Sequence, residues 1–140
     1  MASHFGYAVS FTDRPEVWRI DGYVSIGSSG APSIATVPSG IINSVVRNST
    51  GNYTIILNQS WFALLSAQVC TEIPSGSSPA NLAVQLESDT VGNASVLPKS
   101  AGGVGQGVTF HCYVPSTGTA TDPPAGSGLR FSIVLKNTDA

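Results

Sequence analysis

Apolar residues recur at every second position through segment after segment of this chain, and that period most narrows what it can become. In the last segment Leu129, Phe131, Ile133 and Leu135 alternate with Arg130, Ser132, Val134 and Lys136. Val108, Phe110, Cys112 and Val114 alternate with Thr109, His111 and Tyr113, and Leu82, Val84 and Leu86 with Ala83, Gln85 and Glu87. Side chains on a strand point to opposite faces in turn, so this period marks half-buried strands. Tyr53, Ile55 and Leu57 share one face of a further strand. It follows a β-branched run, Ile41 to Arg47, across the turn-rich Asn48-Ser-Thr-Gly-Asn52, which signals a hairpin. Ala63 to Ile73 reads as a long strand with Leu65, Ala67, Val69, Thr71 and Ile73 together on one face. A short strand is expected near Ala94 to Leu97, inside the Gly- and Pro-containing stretch Ser88 to Gly107.

Residues 1–40 are less regular. Trp18, Ile20, Tyr23, Val24 and Ile26 suggest one or two strands, interrupted by Pro15, Pro32 and Pro38. They read either as an arm packed on a neighbouring subunit or as the first strands and loops of the same fold. No repeat, heptad or amphipathic helix is visible. About eight strands in a 140-residue chain point to one all-β domain over 1–140, a β-sandwich of jelly-roll-like form.

Composition bears on partners. Charged residues make up 10% of the chain, against about 25% in ordinary globular proteins. The six Lys and Arg are scattered and the net charge is −2, so no cationic cluster exists to displace counterions from nucleic acid or to hold an anionic membrane. The N-terminus lacks the basic and apolar regions of a secretory signal, and the longest apolar run, Trp61 to Leu65, is far below the roughly 20 residues of a membrane span. The expectation is a soluble protein made in the cytosol.

Chemistry-bearing residues are sparse. His4, His111, Cys70 and Cys112 lie too far apart in sequence for a zinc motif, and adjacent His111 and Cys112 point to opposite faces of one strand. Strand parity lets Cys70 and His111 share the non-core side, but nothing marks Cys70 as an activated thiol. Two free cysteines are expected, Cys112 acting as a small core residue. The acidic pairs Asp13/Glu16 and Glu87/Asp89 read as solvated positions, and Gly103-Val-Gly105-Gln-Gly107 precedes a strand, unlike a phosphate loop. Asn48, Asn52, Asn58 and Asn93 begin N-x-Ser/Thr triplets and are read as unmodified. Neither a catalytic site nor a metal or cofactor is expected.

Val45-Val-Arg-Asn-Ser-Thr-Gly-Asn-Tyr-Thr-Ile55, continuing to Ala63-Leu-Leu-Ser-Ala-Gln-Val69, resembles a segment of the small decoration or cement proteins of tailed-bacteriophage heads. The closing Leu129-Arg-Phe-Ser-Ile-Val-Leu-Lys136 resembles their final strand, and the length is similar to that of jelly-roll cement proteins of short-tailed phages. The resemblance implies a non-enzymatic virion protein on the outer capsid surface, synthesised in the host cytoplasm. It implies the major capsid protein as partner. It implies self-association too, with a homodimer favoured because two-fold contacts are the commonest closed symmetry, and a trimer as the alternative. Phe5, Tyr7, Phe11 and Trp18 are the candidate partner contacts, with ordinary core as the competing reading of each. A tail-fibre or receptor-binding module is the first alternative function. A carbohydrate-binding sandwich using Trp18, Trp61 and Tyr113 is the second.

Overall fold

The structure, a computed structural model, describes residues 16–36, 40–79 and 81–137. Among these, eight strands form two four-stranded antiparallel sheets. They are β1 (Val17–Ile26), β2 (Pro32–Thr36), β3 (Ile42–Ser49), β4 (Asn52–Leu57), β5 (Ala63–Glu72), β6 (Ala83–Asp89), β7 (Gly107–Tyr113) and β8 (Gly128–Lys136). The first sheet has the order β2-β1-β8-β5 and the second β3-β4-β7-β6. The expected all-β, jelly-roll-like sandwich of eight strands is therefore present.

The core is made by the alternating positions. Tyr53, Ile55 and Leu57 of β4, Val108, Phe110 and Cys112 of β7, and Leu129, Phe131, Ile133 and Leu135 of β8 are all buried. Ile20, Val24 and Ile26 of β1 complete the same layer. Strands β1 and β8 lie side by side in the middle of the first sheet, in register from Val17 opposite Lys136 to Ser25 opposite Gly128. The Asn137 N–H donates to the Glu16 carbonyl at 2.7 Å and closes this ladder. The irregular-looking residues 17–36 thus form β1 and β2, integral to the sandwich. Residues 1–15 lie outside the described residues.

Two local expectations need correction. The stretch Ala94–Leu97 is not a strand. The Asn93 side-chain carbonyl accepts the Ser95 N–H at 2.9 Å and the Asn93 backbone carbonyl accepts the Val96 N–H at 3.0 Å, so the chain turns there. Asn offers the backbone this local alternative to sheet pairing. The face of β5 also changes partway. A register irregularity between Leu64 and Ser66 turns Leu64 toward the core and leaves Leu65 52% exposed. An extra residue in one strand shifts every side chain before it to the other face.

A buried side chain anchors the glycine-rich stretch before β7. Gln106, 2% exposed, accepts the Trp61 N–H through Oε1 at 2.7 Å and donates from Nε2 to the Trp61 carbonyl at 3.3 Å. This fixes the chain just ahead of β5 against the start of β7. Gln106→Ala leaves both Trp61 backbone groups without that partner in a dry site. Its expected cost is about 1–3 kcal/mol, read as a lower urea midpoint with an unchanged slope.

Candidate functional site

The outward face of the second sheet carries a preorganised polar surface. Its parity follows from burial: Tyr53 and Ile55 point in, so Asn52, Thr54 and Ile56 point out. The same rule places Thr109, His111 and Tyr113 of β7 outward. Asn48 Nδ2 donates to Thr54 Oγ1 at 2.7 Å and to Asn52 Oδ1 at 2.6 Å. The Thr54 and Thr109 hydroxyls share a hydrogen bond at 2.7 Å. Asn52 Nδ2 donates to Glu87 Oε2 at 2.6 Å, across β7 to β6. His111 stacks on Tyr113 with ring centroids 5.6 Å apart and lies 3.9 Å from the same Glu87 oxygen. A row of amide and hydroxyl side chains, ending on the Glu87 carboxylate of β6, thus crosses all four strands, already ordered by bonds to one another.

A second cluster ties the rim of this face to the loop after β7. The Arg47 guanidinium grips Asp122 with two bonds, Nε to Oδ1 at 3.0 Å and Nη2 to Oδ2 at 2.7 Å. The Gly51 N–H donates to Asp122 Oδ1 at 2.8 Å. The Tyr53 hydroxyl lies 2.9 Å from the Gly30 carbonyl and 3.1 Å from Asp122 Oδ1, so its single proton serves one or the other. Burial alone would raise the Asp122 carboxyl, but the bonds from Arg47, then Gly51 and Tyr53, outweigh it and hold the pKa below the ordinary carboxylate value. Burial, followed by the nearby Asp122 charge, raises the Tyr53 phenol well above its ordinary range. Gly51 sits at the hairpin turn with φ +71°, and a Cβ there would strike the Cys112 carbonyl oxygen, so no larger residue fits.

The chemistry-bearing residues are kept apart. Cys70 is exposed on the outward face of β5 in the first sheet, while His111 faces outward from the second. The two lie on opposite sides of the sandwich, so the pairing that strand parity allowed does not form. Cys112 is buried among the core residues, and burial, with the Asp122 charge adding, pushes its thiol up to about 12. It is a neutral packing group at pH 7. Glu87 is committed to Asn52, and Asp89 caps the Val91 N–H at 3.0 Å. Among the described residues no three of His, Cys, Asp and Glu gather where a metal could sit.

Of the candidate partner contacts, Phe5, Tyr7 and Phe11 fall outside the described residues. Trp18 is half-buried and packs edge-on against Trp61, ring centroids 6.2 Å apart at 69°. Asp122 and Gln106 did not stand out in the sequence. The only hint of Asp122 is a carboxylate set before Pro123-Pro124 in a loop with no other charge, and of Gln106 an amide between two glycines. The described helices include none long and apolar enough to cross a membrane. Comparison with known proteins gives no match: no family model fits the chain, and no curated protein or solved structure resembles it at a significant level.

Proposed function

We propose that this chain is a non-enzymatic virion structural protein that binds the outer surface of a phage head. There it stabilises contacts between major capsid protein subunits, acting as a homodimer. The observation that carries the reading is the outward face of the second sheet. Its Asn48, Asn52, Thr54 and Thr109 side chains are already hydrogen-bonded in place, so docking costs less side-chain entropy. A face with amides, hydroxyls and the single carboxylate of Glu87 suits a large, partly polar contact. A protein that binds the assembled lattice better than loose subunits stabilises the shell by mass action. The likeness of residues 45–69 and 129–136 to head decoration proteins supports the same reading, as does the absence of a cationic cluster that nucleic acid or membrane would demand. The carbohydrate-binding alternative loses ground, because Trp61 is only 7% exposed and Trp18 is packed on it.

Sedimentation with mature, undecorated heads tests the proposal. The protein at micromolar concentration is expected to leave the supernatant with the heads. Val46→Arg, on the exposed outward side of β3, is expected to weaken this at least tenfold, about 1.4 kcal/mol. Gln68→Arg, on the outward side of β5 in the other sheet, is expected to leave it unchanged. Protein that stays in the supernatant ends the capsid reading. Equal loss from both variants ends the assignment of the face.

A further inference from the structure

Strand β5 has an unguarded edge. Among the described residues it pairs only with β8. It is ten residues long, contains no Pro, Lys or Arg, and has one charge, Glu72, at its end. That carboxylate already accepts a bond from Arg130 of its own chain at 2.9 Å. Edges of this kind invite another strand, and proteins block them with charge, proline, shortness or a bulge. The other end strands are blocked so: β2 is five residues beginning at Pro32, β3 carries Arg47, and β6 carries Glu87 and Asp89. The bulge at Leu65 guards only the start of β5. From Ser66, opposite Val134, to Glu72, opposite Gly128, the register runs unbroken.

The backbone groups that this run presents follow from the bonds of its neighbour. Along β8 and the residues flanking it, successive residues bond to alternate sides. The Ser127 carbonyl accepts from Ile26 and the Asn137 N–H donates to Glu16, both toward β1, while the Lys136 carbonyl accepts from Phe62, toward β5. Even-numbered residues of β8 therefore bond β5, and their partners there are Ser66, Gln68, Cys70 and Glu72. Ala67, Val69 and Thr71 turn their N–H and C=O groups to the free edge. Open space meets both faces of the strand. One hollow of about 890 Å³ is lined by inward Val69 with Val84 and Leu86 of β6, and by outward Gln68, Cys70 and Arg130.

The run is its own complement. Antiparallel pairing keeps both faces of a sheet continuous only when inward residues meet inward ones. A two-fold axis at Val69, midway between Ser66 and Glu72, meets that condition over the whole run. Val69 then exchanges both backbone bonds with its copy, and Ala67 with the copy's Thr71. Glu72 comes opposite the copy's Ser66, not opposite a second carboxylate.

We propose that β5 pairs with β5 of a second copy about this axis, joining two four-stranded sheets into one. The contact gives the homodimer of the capsid reading its interface, and it rests on that part of the reading, not on head binding.

The test uses the full chain, which carries its own probe: Cys70 is exposed and Cys112 buried. A nitroxide on Cys70 would lie diagonally across the axis from its twin, the two Cα atoms roughly 7–8 Å apart. Its spectrum is expected to be dipolar-broadened and to sharpen on mixing with excess unlabelled protein. Sedimentation equilibrium gives the second reading. Val69→Lys sets two ammonium groups opposite each other in the dimer, whereas in the monomer the lysine reaches water past the edge. It is expected to raise the dimer dissociation constant at least roughly tenfold. Should that variant fail to fold, the wild-type nitroxide spectrum decides alone. A wild type that stays monomeric at high micromolar concentration overturns the proposal and the homodimer with it, and sedimentation with heads then still tests capsid binding by itself. A dimer with a sharp Cys70 spectrum, or one that Val69→Lys leaves intact, overturns the β5 contact and leaves the homodimer standing.

Discussion

Phe131→Ala is expected to lower the unfolding free energy by about 3–5 kcal/mol, the range for removing a fully packed Phe from a core. Phe131 is 4% exposed on β8, between Gly22 of β1 and Val69 of β5. Its ring lies over Gly22 so closely that a Cβ on that glycine would collide with it. The ring therefore occupies space that any other residue at 22 would fill. Gly22→Ala alone is expected to cost about 1–3 kcal/mol through overpacking. The two changes made together should cost less than their sum, because the new methyl enters the void that the ring leaves. Urea denaturation of the four proteins in the cycle measures this coupling. Strict additivity would mean that ring and glycine do not compete for one volume.

Asp122→Ala is expected to cost about 2–3 kcal/mol, mainly because the half-buried Gly51 N–H loses a charged acceptor. Tyr53 keeps the Gly30 carbonyl, so its hydroxyl is not stranded. The same site gives acid sensitivity a direction. The folded-state carboxyl titrates below its unfolded value, so the folded state binds fewer protons. Its contribution is complete above the unfolded pKa, about 3.9 for Asp, and is lost as pH falls through the folded one. Asp122→Asn, which cannot titrate, should show a flatter decline of stability below about pH 4 than the wild type. Parallel acid-denaturation curves for the two proteins would show that Asp122 does not carry this dependence.

Strands β4, β7 and β8 were legible in the sequence, whereas interior β1, whose inward positions include Gly22, and the edge strands were less so, for a physical reason. β4, β7 and β8 each have a neighbour on both sides and a sheet above one face, so nearly every inward position is apolar. β5 and β6 stand at the ends of their sheets, where a bulge turns Leu65 outward and Leu86 is left 43% exposed. Alternation alone cannot distinguish an exposed inward position from a buried one. The short stretch Ala94–Leu97 looked like a strand because its apolar residues were read without the Asn93 turn that captures them. The Asp122 cluster was hidden by distance along the chain, since Arg47 and Asp122 are 75 residues apart. Nothing local in either segment names the other. The separation of His111 from Cys112 was legible from parity, whereas that of His111 from Cys70 required knowing which sheet each strand joins.

The pairing of the first and last described strands sets how the molecule answers mechanical force. Glu16 and Asn137 meet at one end of the β1–β8 ladder. Tension applied through the two tails enters there and pulls across the strands. It breaks hydrogen bonds one after another, as a zipper opens. Force passed through the flat faces is instead shared by many bonds at once and must shear the ladders together. A molecule built this way resists strain when gripped broadly by its surfaces and yields when hung from its ends.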